Sequence, residues 1–142
     1  MGPSRVMNED EIFEVVTNNP RLTAEFAASH GVVLVHHVEG THLDVMNKTE
    51  ELLQSGRCLV SVPLPPNIPL MRAPYRSLLL MRGERQYDAQ GLIAIAKARE
   101  TLTIQRAIDE DAGPGRSEDF AFIDEDLLLR AMRDHHLGQS LD

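Results

Sequence analysis

"IFEVVTNNPRLTAEFAASHGVVLVHHV", residues 12–38, places two short apolar runs on either side of a helix-like stretch. Ile12 to Thr17 and Val32 to Val38 have strand length and β-branched content, and neither alternates cleanly between polar and apolar. Runs of that kind belong to strands covered on both faces, as in a sheet held between helices. Between them, Asn18 or Asn19 offers a cap for exposed helix amides, Pro20 suits a first helical position, and Gly31 supplies a left-handed stop. Leu22 and Phe26, one helical turn apart, would turn one face to the sheet. Strand, helix and strand in this order predict a right-handed crossover and parallel pairing.

The same unit recurs downstream. "THLDVMNKTEELLQSG", residues 41–56, opens with Thr41 and Asp44 in capping-box spacing, carries an inner stripe of Val45, Met46, Thr49, Leu52 and Leu53, and ends at Gly56. "CLVSV" at 58–62 and "SLLLM" at 77–81 supply a third and a fourth strand. The expected architecture is therefore α/β: a single Rossmann-like layered domain over residues 11–142, after an N-terminal tail at 1–10, with a mostly parallel sheet of 4–5 strands flanked by helices. Five prolines between Pro63 and Pro74 rule out a regular helix there and leave either a lid or binding element or a rigid spacer. Residues 88–109 predict the longest helix, with Leu92, Ile95, Ala96, Arg99 and Leu102 on one face. An acidic, glycine-bearing linker follows, then a short strand and a last helix capped at Asp124 and stopped at Gly138.

Composition narrows the functional classes. Fourteen basic against 22 acidic residues give a net charge of -8, which repels a phosphate backbone and argues against nucleic acid as a partner. No stretch approaches the roughly 20 apolar residues of a membrane span, and the N-terminus has no signal-like apolar core, so a cytoplasmic protein with no membrane partner is expected. The single cysteine, Cys58, has no internal disulfide partner and sits in an apolar run, where a buried and inert thiol is the commoner state.

His36, His37 and His42 fall within seven positions, beside Glu39 and Asp44, and invite a metal-site reading. Side chains alternate across a strand, which sends His36 and His37 to opposite faces, and His42 takes the first position of the next helix, where the positive helix end disfavours protonation. Without three or four converging ligands in a recognised spacing, no metal is expected. No cofactor is expected either, since glycine-rich dinucleotide and phosphate loops and the Gly-x-Ser-x-Gly elbow are absent. His135 and His136 read as a solvated pair in the last turn of the final helix. Open α/β sheets bind ligands at the carboxyl ends of their strands, which here are "TNNP", "EGTHLD" and "PLPPN". Asn18 and Asn19 bring amide donors and acceptors to that edge, and nearby helix N-termini favour an anion. Each feature also has a purely structural use, as a cap or a turn.

"VVTNNP", "VEGTHLDVMNK" and "PLPPNIPLMRAPYRSLLL" together resemble, in order and spacing over residues 12–82, the GrdX family, small proteins associated with glycine, sarcosine and betaine reductase systems. The resemblance implies an accessory role beside a selenium-dependent amino-acid reductase of anaerobic bacteria, with reductase components as partners. It draws attention to Asn18, Asn19, Pro20, Glu39, Gly40, Asp44, Pro63, Leu64, Pro74, Tyr75 and Ser77. The expected ligand-binding set is Asn18, Asn19, Glu39, Gly40, Thr41, Asp44, Pro63, Tyr75 and Ser77, forming a strand-end cleft for a small anionic ligand or a partner segment. A homodimer is a further candidate assembly. The competing reading is a small enzyme acting on an amino-acid-derived or acyl substrate, with Glu39 or Asp44 as base and Tyr75 or Arg76 stabilising charge.

Overall fold

The computed structural model describes residues 12–61, 74–82, 88–104 and 114–140. The tail at 1–10, Pro63, Leu64 and the predicted helix end near Asp109 lie outside the described residues. The described elements are β1 (Phe13–Thr17), α1 (Ala24–His30), β2 (Val32–His37), α2 (His42–Gln54), β3 (Arg57–Leu59), β4 (Ser77–Arg82), α3 (Ala89–Ile104) and α4 (Pro114–Ser140).

The four strands form one sheet in the order β2-β1-β4-β3. β1 and β2 pair in parallel, as their helical connection predicts, but β4 inserts between β1 and β3 and runs antiparallel to both. The expected mostly parallel sheet is thus a mixed one. A parallel step from β3 to β4 would need a crossover connection, which the antiparallel pairing of these two neighbours does not require. The run "SLLLM" is apolar on both faces and carries no signal of direction. β1, β2 and β3 still point the same way, so their carboxyl ends share one edge of the sheet with the amino end of β4.

Helices cover both faces. Phe13, Val15 and Leu79 pack with Leu22 and Phe26 of the α1 region and with Leu128 and Met132 of α4. Val16, Leu78 and Leu80 meet Val45, Met46 and Leu53 of α2 and Ile95, Ala98 and Leu102 of α3. Every residue of β1 is buried, which is why its sequence shows no polar alternation. The inner stripe of α2 is the one its spacing predicts; on α3 the buried alanine is Ala98, while Ala96 is exposed.

Local chemistry sets the helix ends. α1 begins later than Pro20, because Thr23 caps it by accepting from the Phe26 amide. Asn19 instead closes a turn, its Oδ1 accepting from Arg21 N at 2.9 Å. Gly31 ends α1 at φ 75°, the left-handed conformation glycine adopts without penalty. Asp88 starts α3 by accepting from Gly91 N and also holds β3 by accepting from Leu59 N, both at 2.9 Å.

α4 is the larger correction. It runs unbroken from Pro114 to Ser140, so part of the predicted linker and the whole predicted strand are helical, Asp124 is not a cap, and Gly138 does not stop the helix. Ala121, Asp124, Leu128 and Met132, at steps of three or four, form the buried stripe that fixes it to the sheet. Among the described residues no helix is long and apolar enough to cross a membrane. Cys58 is half-buried, and burial, then Asp88, raises its thiol pKa, which leaves the sulfur a weak nucleophile.

Candidate functional site

The shared edge at the strand ends is polar and buried. Thr17 closes β1 and Ser77 opens β4, and their hydroxyls lie 2.7 Å apart. Ser77 and the turn after β1 meet α4 through Asp124, whose carboxylate accepts from Ser77 N at 2.9 Å, from Ser77 Oγ at 2.5 Å and from Asn19 Nδ2 at 3.0 Å. Asn19 Nδ2 also donates to the Ala121 carbonyl at 2.8 Å. Asn18 ties three segments together. Its Nδ2 donates to the carbonyls of Gly40 at 3.0 Å and Pro74 at 2.9 Å, and its Oδ1 accepts from Arg76 N at 2.9 Å. In a low-dielectric interior such bonds hold the backbone ends in one arrangement, since each unmade bond would leave a desolvated group.

Burial pushes the Asp124 carboxyl up, against the downward pull of its Ser77 and Asn19 donors and of Arg76. Arg76 is itself buried, which lowers its guanidinium pKa, while Asp124 raises it. His42, the first residue of α2, is 2% exposed, and neither ring nitrogen has a hydrogen-bond partner among the described residues. Burial and then the Arg76 charge lower its pKa, outweighing Asp44, so it is a neutral imidazole at pH 7.

The predicted site residues divide. Asn18, Asn19, Ser77 and the Gly40 carbonyl belong to the buried centre. Thr41 and Asp44 form a capping box on the exposed side, with Thr41 N donating to Asp44 Oδ2 at 2.8 Å and Asp44 N to Thr41 Oγ1 at 3.4 Å. Glu39 is exposed. Tyr75 is half-buried and lines an open cleft of about 380 Å³ with Pro20, Arg21, Glu118 and Ala121, directly beside the Asn19–Ala121 bond. A larger, apolar cleft of about 550 Å³ runs between α1 and β2 along the sheet edge, bordered by Leu22, Ala27, Val33, Leu34 and His37. Glu39 and Asp44 border neither cleft.

A family model described as GrdX-like protein matches residues 14–133. The chain belongs to the GrdX-like family. No curated protein and no solved structure matches it. The GrdX-like match runs well past residue 82, where the resemblance read from the sequence faded, and takes in α3, Asp124 and most of α4. Both halves of the strand-end centre therefore lie inside the family region.

Two groups in this GrdX-like chain escape a reading of the sequence. The first is the α4 set, Glu118, Ala121 and Asp124; an acid at the apolar spacing 121, 124, 128 was the available signal. The second surrounds Glu14, which is fully buried on β1 and receives Arg82 Nε at 2.6 Å, His36 Nε2 at 2.7 Å and Arg57 Nε at 3.2 Å. His36 and His37 do face opposite ways, since His36 reaches Glu14 while His37 borders the α1 cleft. Among the described residues no three His, Cys, Asp or Glu side chains are placed to hold a metal ion.

Proposed function

We propose that this GrdX-like chain is a non-catalytic accessory protein of a selenium-dependent glycine, sarcosine or betaine reductase system, acting in the cytoplasm and binding a small anionic ligand or a partner segment at its strand ends. Family membership supports the context. The observation that carries the site is the juxtaposition of the Tyr75 and Arg21 cleft with the buried Asn18, Asn19, Ser77 and Asp124 network. That network is saturated with internal bonds, so its contribution is to hold the rim rigid for an incoming group, which lowers the ordering cost of binding. The capping box commits Asp44 Oδ2 to the Thr41 amide and hydroxyl, and neither Asp44 nor Glu39 borders either cleft, which supports binding over acid/base chemistry.

The test is retention of partners by the tagged full-length chain in a glycine-fermenting host, with thermal-shift measurements using glycine, sarcosine, betaine, acetyl phosphate and phosphate. Reductase components are expected in the eluate, and a stabilising ligand is expected to raise Tm by mass action. Turnover of an amino-acid-derived or acyl substrate by the isolated chain, with no reductase component retained, would replace this reading with the enzymatic one.

A further inference from the structure

We infer that the anionic group taken by the Tyr75 cleft is the carboxylate of a small zwitterion, an ammonium carboxylate of amino-acid type; this rests on the strand-end binding reading and gives the ligand a chemical class. Three side chains bordering the cleft carry polar groups that no described residue engages. Arg21 commits Nε to Glu125 at 2.6 Å, and its guanidinium sits 5.5 Å from the centre of the Phe122 ring. The described residues give its two terminal nitrogens no further partner, which leaves a fork suited to a carboxylate. Glu118, on the amino-terminal part of α4, lines the opening with an exposed carboxylate that has no bond to a described residue. Tyr75 adds an aromatic ring and a phenol from the segment that Asn18 and the Arg76 amide hold in place.

Charge decides against a simple anion. Among the described lining residues, Arg21 is already matched by Glu125, so Glu118 gives the cleft an acidic excess, in a chain whose net charge is -8. A lone carboxylate or phosphate approaching Arg21 meets that excess, whereas an ammonium group on the same ligand answers Glu118 and can rest against the Tyr75 ring. The volume of about 380 Å³ lies at the small end of ligand sites, which run from about 300 to 1,000 Å³.

The experiment is titration of the full-length chain, followed by amide NMR, with three probes: glycine, acetate and methylammonium. Glycine is expected to bind about tenfold more tightly than either half-ligand, with shifts centred on Tyr75 and Ala121. Arg21→Met is expected to weaken glycine about tenfold, and Glu118→Gln to remove the preference for glycine over acetate. Both positions are exposed, so neither variant disturbs the core. Acetate binding as well as glycine, an unchanged preference in Glu118→Gln, or no response to glycine would each overturn the zwitterion. Partner retention separates this from the accessory role: glycine binding without reductase components keeps the site and removes the role, while retained components without glycine binding do the reverse.

Discussion

Gly40 lies one residue ahead of the Thr41 cap, and a side chain there would collide with the Asp44 carboxylate that closes the capping box. Its carbonyl meanwhile receives Asn18, so the position serves the helix start and the buried centre together. Gly40→Ala is expected to cost about 1 kcal/mol by displacing Asp44, close to the cost of Asp44→Ala. Because both act on one cap, the double variant should cost little more than either alone in urea unfolding. Full additivity would place the Gly40 cost elsewhere in the turn. This box was legible from Thr41 and Asp44 because its partners are three residues apart and need no tertiary context. The burial of His42, next to the same cap, was not, since it depends on what packs over the helix start.

Among the elements, α4 depends most on the rest of the fold. Gly113, Pro114 and Gly115 read as a break and "FAFI" as a strand, yet the buried stripe from Ala121 to Met132 and the bonds of Asp124 draw the segment into one helix against the sheet. Asp124→Ala leaves Ser77 N, Ser77 Oγ and one Asn19 bond without their acceptor. A loss of about 3 kcal/mol is expected, read as a fall in the unfolding midpoint, with Asp124→Asn recovering part of it. The homodimer expected from the sequence is to be tested at the edge strand β2. Val33 and Leu34 are 55% and 40% exposed beside the apolar α1 cleft, an edge that invites contact with a second copy. Val33→Lys is expected to turn a sedimenting dimer into a monomer; wild-type protein sedimenting as a monomer would remove the dimer.

The response of the whole molecule to acid combines distant groups. Burial raises the Glu14 carboxyl, but donors Arg82, His36 and Arg57 outweigh it and hold the pKa below the ordinary 4.5. His42 lies below its ordinary 6.5 for the opposite reason, burial of an imidazole beside Arg76. In both cases the unfolded chain binds the proton more readily, so stability is complete above the ordinary value and is lost as pH falls through the folded one. Asp124, raised above 3.8, has the opposite sign: its contribution is complete below 3.8 and is lost as pH rises through the folded value. Calorimetric Tm is therefore expected to decline once pH drops below 6.5, from His42, and again below 4.5, from Glu14. His42→Met should remove the first decline and, by deleting two buried nitrogens that no described residue satisfies, add about 1 kcal/mol at neutral pH. An unchanged slope in that variant would assign the decline to another group.

By itself the sequence determined the parallel β1-α1-β2 unit, the capped start of α2, its buried stripe and the family resemblance. Each rests on periodicity or on hydrogen bonds closed within about one helical turn, or on motif order along the chain. The tertiary structure alone decided the antiparallel placement of β4 and the bonding of the strand-end centre. Thr17 meets Ser77 across 60 residues, Ser77 meets Asp124 across 47, and Asn19 meets Asp124 across 105. An apolar run has no inherent direction and a buried acid announces no partner, so these choices were made only when the layers packed and each desolvated group had to find its mate.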